Sequence, residues 1–163
     1  MQPYLTPFAN MFYPSLLERL LNQYQALPPM LPALTQEQLL AQPSPGKWSV
    51  QEQVAHLVSY QPAFLSRVYR ILDTQDPLFE PYVGDDDPVF LYWRRQSMDT
   101  LLEEMQTDRQ KIIQLLQSLS EEQLQRVGVH KRYGRLNILQ WTEFFLLHEA
   151  HHLFSIFKLA HAQ

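Results

Sequence analysis

The chain of 163 residues has the length of a single domain, which we take to span 1–163, and its 45% hydrophobic content suffices for a core. A formal charge of −4 argues against nucleic acid as a partner, because broad binding needs a basic face that neutralises phosphates. With no cysteine, the chain cannot form disulfides, thiolate metal ligands or a cysteine nucleophile, so thiol chemistry would need a thiol co-substrate.

The sequence carries no sign of membrane insertion or secretion. No stretch is long and apolar enough to span a bilayer, so we expect no membrane partner. The first 21 residues lack the basic start and apolar run of a secretory signal. We therefore expect a cytoplasmic location.

The first amphipathic segment predicts a helix over about residues 8–27. Pro14 offers an alternative start, and the prolines at 28, 29 and 32 predict its end. A short helical turn is predicted over 35–40. The apolar residues of the first segment recur at spacings of three and four: Phe8, Met11, Phe12, Leu16, Leu20 and Tyr24.

Three further long helices are predicted. Ser49 with Glu52 forms a capping box that begins the second, which continues through Pro62, with or without a kink, to about residue 72. The third covers about 89–118, and Asn137 with Gln140 caps the fourth. β-branched alternation is absent, so we expect no sheet of consequence. Four long helices in one domain predict an all-α four-helix bundle.

The segment HEAHH, residues 148–152, matches the zinc-protease pattern H-E-x-x-H. Such a protease needs a third ligand downstream, but the residue six after His152 is Lys158, and no acidic residue follows Glu149. His161 lies on the opposite side of the same helix from His152, at about 100° per residue. The protease interpretation is therefore disfavoured, and the pair H-x-x-x-H remains to be explained.

His148 and His152 both fall on the apolar stripe of the fourth helix. A histidine on a helix is usually a surface or satisfied core residue, but two ionisable rings in a core cost free energy unless something binds them. His56 lies seven residues after the Ser49 cap, roughly 10 Å along the second helix. If the second and fourth helices are antiparallel, the three imidazoles meet. Three neutral ligands would leave a divalent metal an open position, which is typical of a catalytic site.

The segments KWSVQEQVAHL, YG and HEAHH together resemble the DinB/YfiT-like superfamily, over about residues 8–160. The resemblance implies a bundle with up-down-down-up connectivity and a metal, zinc or nickel, held by His56, His148 and His152. It also implies homodimers, and activities that include thiol-dependent S-transferases using bacillithiol, mycothiol or glutathione, and a related isomerase.

The predicted function is therefore that of a divalent-metal-dependent enzyme. Its three-histidine site would activate a low-molecular-weight thiol, or water, for transfer to a small electrophile, which makes it an S-transferase or a hydrolase. The alternative is a non-catalytic metal-binding or stress-response interaction protein of the same fold. The sequence leaves open whether the chain is an enzyme at all.

Several other residues have a functional and a structural interpretation. Arg132 and Arg135, within RVGVHKRYGR at 126–135, are candidates for a rim that binds an anionic substrate, although charge runs are often only solvated loops. Glu149 is a candidate base whose direction, about 100° from His148, leaves its role open. Tyr60 would line the pocket or pack in the core. The segment FLYWRRQSM at 90–98 mixes aromatic residues with arginines, as interfaces do, and is the candidate dimer contact.

Overall fold

The structure is a computed structural model that describes residues 12–31, 34–85 and 87–161. The first helix, α1, covers Pro14–Asn22 and begins at the alternative start, with Pro14 in the first helical position, where a missing N–H costs nothing. Phe8, Met11 and Pro32 lie outside the described residues. A 3₁₀ turn at Gln23–Ala26 and helix α2 at Leu27–Met30 follow, so prolines 28 and 29 lie in the first turn of a new helix instead of ending the first one.

Both predicted capping boxes on the long helices are confirmed. Helix α3, Gln36–Leu40, occupies the predicted short turn, and helix α4 spans Val50–Asp73 without a break at Pro62. The Ser49 hydroxyl accepts the Glu52 N–H at 3.2 Å, and the Glu52 carboxylate accepts the Ser49 N–H at 2.9 Å. The last helix, α8, spans Ile138–Ala160, and Asn137 and Gln140 cap it in the same reciprocal way.

The predicted third helix is divided into two, so the prediction of one continuous helix over 89–118 was wrong. Helix α5 covers Pro88–Trp93, and helix α6 covers Met98–Ser118. The interruption has a local cause, because the Ser97 hydroxyl accepts the Thr100 N–H at 3.2 Å and starts a new helix there. A short helix, α7, then covers Glu121–Leu124.

A small three-stranded sheet corrects the expectation of no sheet. Strands β1 (Leu78–Phe79), β2 (Val127–His130) and β3 (Gly134–Asn137) lie in that order, with β1 parallel and β3 antiparallel to β2. Strands of two to four residues are too short to show alternation in the sequence. The segment 126–135, left open as a solvated loop or a binding rim, thus contributes to the β2–β3 hairpin. Gly128 brings it close to α4, since a Cβ there would lie 2.8 Å from the Ile71 side chain.

Helix α4 is antiparallel to α8. Gln53 near the start of α4 contacts His152 late in α8, while Arg67 further along α4 lies over Trp141 early in α8. Helix α6 runs parallel to α4, since Gln51 donates to the Gln96 carbonyl just before α6 and Gln61 donates to the Met105 carbonyl inside it.

Helix α1 runs parallel to α8. Arg19 pairs with Glu143, and Gln23, just beyond α1, donates to the carbonyl of Leu146, further along α8. With α1 and α8 in one direction and α4 and α6 in the other, the up-down-down-up connectivity is confirmed. The antiparallel α4–α8 pair also brings the first half of α4 level with the second half of α8, where the histidines lie.

Within the described residues, no helix is long and apolar enough to cross a membrane.

Candidate metal centre

The three predicted histidines meet between α4 and α8. The Nε2 atom of His148 lies 3.0 Å from that of His56 and 3.1 Å from that of His152. One ligand atom from each ring falls within 4.8 Å of the others. His56 and His152 are buried, with 4% and 8% of their surface exposed, and His148 is half-buried. The Nε2 atoms of all three side chains thus converge on one point.

The hydrogen bond of His152 prepares its Nε2 to act as a ligand. Its Nδ1 lies 2.6 Å from Oε1 of Gln53, which can only accept, so Nδ1 carries the proton and Nε2 keeps its lone pair. The Nδ1 atoms of His56 and His148 are buried and have no hydrogen-bond partner among the described residues. Gln53 therefore orients the His152 ring through its Nδ1, and it lies three residues before His56 on the same helix.

The histidines are held in the neutral form that binds metals. Burial, followed by the repulsion of neighbouring histidines, lowers the pKa of His56, His148 and His152 to about 3. All three rings are then uncharged at neutral pH. A cation would therefore meet free lone pairs instead of having to displace protons.

Aromatic side chains surround the cluster. Trp48 lies 4.6 Å from His56 between ring centroids, and its indole N–H donates to Asp85 at 2.8 Å. Tyr60 packs on His148 with a centroid distance of 4.2 Å, so it is at once a core residue and part of the wall of the site. Gly84 leaves room for His56, because a Cβ there would lie 2.6 Å from its Nδ1. Such walls limit the access of water and raise the strength of electrostatic interactions inside.

The arrangement fits a divalent transition metal. Two nitrogens on a tetrahedral zinc, at Zn–N distances of about 2.0–2.1 Å, lie about 3.3 Å apart. The observed Nε2 separations of 3.0 and 3.1 Å need only a small outward adjustment to reach that value. Three imidazoles also leave at least one coordination position free for a substrate. Among the described residues, this is the group of histidine and acidic side chains that could hold such an ion.

Glu149, the candidate base, lies elsewhere. Its side chain is buried in the bundle and forms an ion pair with Arg109 of α6, and its other oxygen accepts from Gln23 at 3.0 Å. Burial raises the pKa of Glu149 above its ordinary value, although the charge of Arg109 opposes this. The sequence left the direction of Glu149 open, and the structure directs its side chain into the core of the bundle. Because Glu149 follows His148 by one residue, its side chain leaves the helix about 100° around the axis from that of His148 and enters the core.

A cavity of about 150 Å³ opens beside His148. Arg132 lines it, as does Tyr60, but Arg135 does not. Arg135 instead forms a two-pronged pair with Asp76, with both N–O distances at 2.9 Å. The structure therefore places one of the two predicted rim arginines next to the histidines and the other apart from them. A larger cavity, of about 520 Å³, is lined by the 3₁₀ turn, α2 and α6, and none of the three histidines lines it.

Sequence reasoning missed two residues near the site. Gln53 had a detectable signal, because a residue three before His56 shares its helix face. Arg67 had none, since α4 and the β2–β3 hairpin meet only in the folded chain. His130 belongs to the segment 126–135 that was predicted as a candidate rim, and like Arg132 it lines the cavity beside His148.

Comparisons with known proteins bear on the fold and the family. No curated protein matches the sequence. Among solved structures, the chain is similar to YfiT from Bacillus subtilis, described as a probable metal-dependent hydrolase with an unusual four-helix bundle topology. The TM-score is 0.74 at 19% identity, over 89% of this chain and 83% of that chain, which shows a shared fold. The sequence profile of the DinB superfamily matches residues 19–156, which is most of the chain, and the protein therefore belongs to the DinB superfamily.

Proposed function

We propose that this protein is a divalent-metal-dependent enzyme that activates a low-molecular-weight thiol for transfer to a small electrophile. The observation that carries the proposal is the convergence of three neutral Nε2 atoms next to a cavity. His56, His148 and His152 would hold the metal, which we take to be zinc or nickel because imidazole ligands suit both.

The residues of the chain have distinct tasks in this scheme. When bound, the metal would lower the pKa of a thiol in its open position, since three neutral ligands leave its charge uncompensated. Gln53 fixes the orientation of the His152 ring. Trp48 and Tyr60 shield the histidines from bulk water. Arg132 supplies positive charge at the mouth of the cavity, which suits an anionic thiol such as glutathione.

Two observations bear on whether the activated group is a thiol or a water molecule. A thiol is already acidic enough to be deprotonated by the metal alone, whereas hydrolysis commonly uses a carboxylate base. Glu149, the nearest such residue in sequence, is engaged by Arg109, which favours the thiol. The description of YfiT as a probable metal-dependent hydrolase favours water, so hydrolysis is the second candidate.

The deciding experiment combines metal analysis with a thiol panel. Purified protein is assayed for bound zinc and nickel, then for consumption of a generic electrophile with bacillithiol, mycothiol, glutathione or no thiol. We expect metal in near-stoichiometric amount and turnover only with a thiol. Thiol-independent turnover would establish the hydrolase instead, and metal binding without any turnover would support the non-catalytic alternative.

Variants of the histidines test the ligand set. His56→Ala, His148→Ala or His152→Ala should each lose metal and turnover together. His151→Ala is the matched control, because His151 neighbours the cluster in sequence but is exposed. Full metal occupancy in any one triad variant would refute the three-histidine site. We place this activity in the cytoplasm, where thiols are kept reduced.

A further inference from the structure

Arg67 is a buried cation without a counter-charge among the described residues. Only 9% of its surface is exposed, and no described carboxylate forms an ion pair with it. Its guanidinium donates to two neutral groups, the Tyr60 hydroxyl at 3.3 Å and the Glu80 carbonyl at 2.9 Å. Because a guanidinium has five N–H donors, several remain for another acceptor. A buried charge in this position favours an anionic occupant.

His130 adds a neutral donor to the same cavity. Its Nδ1 accepts the backbone N–H groups of Arg132 and Tyr133 at 3.1 and 3.2 Å, so the ring proton of the neutral form lies on Nε2. No described residue provides an acceptor for that N–H. Burial, followed by the charges of Arg67 and Arg132, lowers the pKa of His130, while the charge of Glu80 opposes this, so the ring favours its neutral form.

The cavity itself is small and adjoins the histidine cluster. Its lining includes Arg67, Arg132 and His130 together with His148 of the cluster, and its volume is about 150 Å³. A water molecule occupies about 30 Å³, so the cavity holds about five waters or a group of a few heavy atoms. A planar carboxylate matches the fork of a guanidinium with two parallel hydrogen bonds.

We propose that Arg67, Arg132 and the Nε2–H of His130 form a subsite for a carboxylate group carried by the substrate. The subsite deepens the proposed function and rests on it in one respect: the reacting group of the substrate that carries the carboxylate lies at the histidine cluster. The substrate class is then a small carboxylic acid whose thiol or electrophilic centre is only a few bonds from the carboxylate. A neutral analogue lacks the group that Arg67 binds.

The first experiment uses metal-free protein and acetate as the probe. Sodium acetate is titrated at constant ionic strength, and the His130 ring resonances are followed by NMR. We expect saturable shifts, weakened at least about tenfold in Arg67→Gln, because hydrogen bonds to a charged group are lost. Arg70→Gln is the matched control, since Arg70 is an exposed arginine one turn along the same helix. Non-saturable shifts, or equal affinity in Arg67→Gln, would overturn the subsite, as would tighter binding of inorganic phosphate than of acetate.

Two further variants keep the test valid if Arg67→Gln does not fold. Arg132→Gln should weaken acetate binding, whereas Lys131→Gln, which removes a neighbouring exposed charge paired with Glu80, should not. Equal effects of the two would overturn the proposal, because they would indicate general charge attraction.

The second experiment joins the subsite to the metal centre. Cobalt-substituted protein is titrated with mercaptoacetate and with 2-mercaptoethanol, and thiolate binding is followed by its absorption. We expect mercaptoacetate to bind at least about tenfold more tightly in the wild type, and Arg67→Gln to abolish the difference. Equal affinities in the wild type would overturn the shared placement. Failure of cobalt to bind would refute the proposed function, while the acetate titration would still decide the subsite.

Discussion

Replacement of Glu149 by glutamine separates a structural role from a catalytic one. Glu149 and Arg109 form an ion pair in which neither side chain is more than 2% exposed. The substitution removes the negative charge and leaves Arg109 with its acceptors on Gln61 and the Leu20 carbonyl. Its guanidinium also stays over the Tyr24 ring at 4.9 Å.

The expected loss of stability follows from the burial of the pair. Removing one partner of a buried ion pair costs about 3–5 kcal/mol in the free energy of unfolding, because the other charge stays buried and unpaired. Since glutamine keeps an oxygen that can accept from Arg109, we expect about 3 kcal/mol. In a chain of this length, each kcal/mol lowers Tm by about 2–4 °C, which gives about 6–12 °C.

The assay compares Tm, metal content and turnover in the same preparations. Glu149→Gln should lose stability but keep the metal and most of its activity. Glu143→Gln is the matched control on the same helix, because the Glu143–Arg19 pair is about 30% exposed and should contribute at most about 1 kcal/mol. A wild-type Tm in Glu149→Gln would refute the structural role. A fully metallated but inactive variant would make Glu149 a general base and hydrolysis the better description.

Three further predictions concern the site and the assembly. Gln53→Leu should lower metal affinity about 10–100-fold with the fold intact, and unchanged affinity in a metal titration would contradict the orienting role of Gln53. In the metal-free protein, the unfolded histidines take up protons below about pH 6.5 while the folded ones, with a pKa of about 3, do not. The unfolded state therefore binds more protons in that interval, so stability should fall from pH 6.5 toward pH 3, and denaturation at several pH values should show a steeper decline than in His148→Leu. Finally, we predict a homodimer in which 90–98, with Tyr92 exposed, contributes to the contact, and a monomeric mass by light scattering at micromolar concentration would contradict it.

Features that depend on neighbours in sequence were predictable. The capping boxes at Ser49 and Asn137 are local hydrogen-bond patterns, and they fixed the starts of α4 and α8. His56 lies seven residues after the Ser49 cap and His152 about eight residues before the end of α8, which predicted that they lie at one level of an antiparallel pair, as the structure confirms. The break before α6 also had a local signal in Ser97, but the apolar periodicity on both sides concealed it.

Features that depend on tertiary contacts were not predictable from one sequence. Strand β1 pairs with β2 across about fifty residues, and two residues carry no periodicity. The partner of Glu149 is Arg109, forty residues away on a helix whose facing was unknown. Arg135 and Arg132 look equivalent in the sequence, yet the hairpin directs one to Asp76 and the other to the cavity.

Two buried arginines of the bundle, Arg67 and Arg109, differ in whether a described carboxylate balances their charge. Arg109 is fully buried and has its counter-charge in Glu149, so it is explained by the fold alone. Arg67 is nearly as buried and is stabilised by aromatic faces, with Trp141 5.3 Å away, but its polar contacts are neutral. Burying a cation without a counter-charge costs free energy that an apolar side chain of similar volume would avoid. Because Arg67 also lines the cavity beside His148, the proposed carboxylate would account both for its position and for the absence of a counter-charge among the described residues.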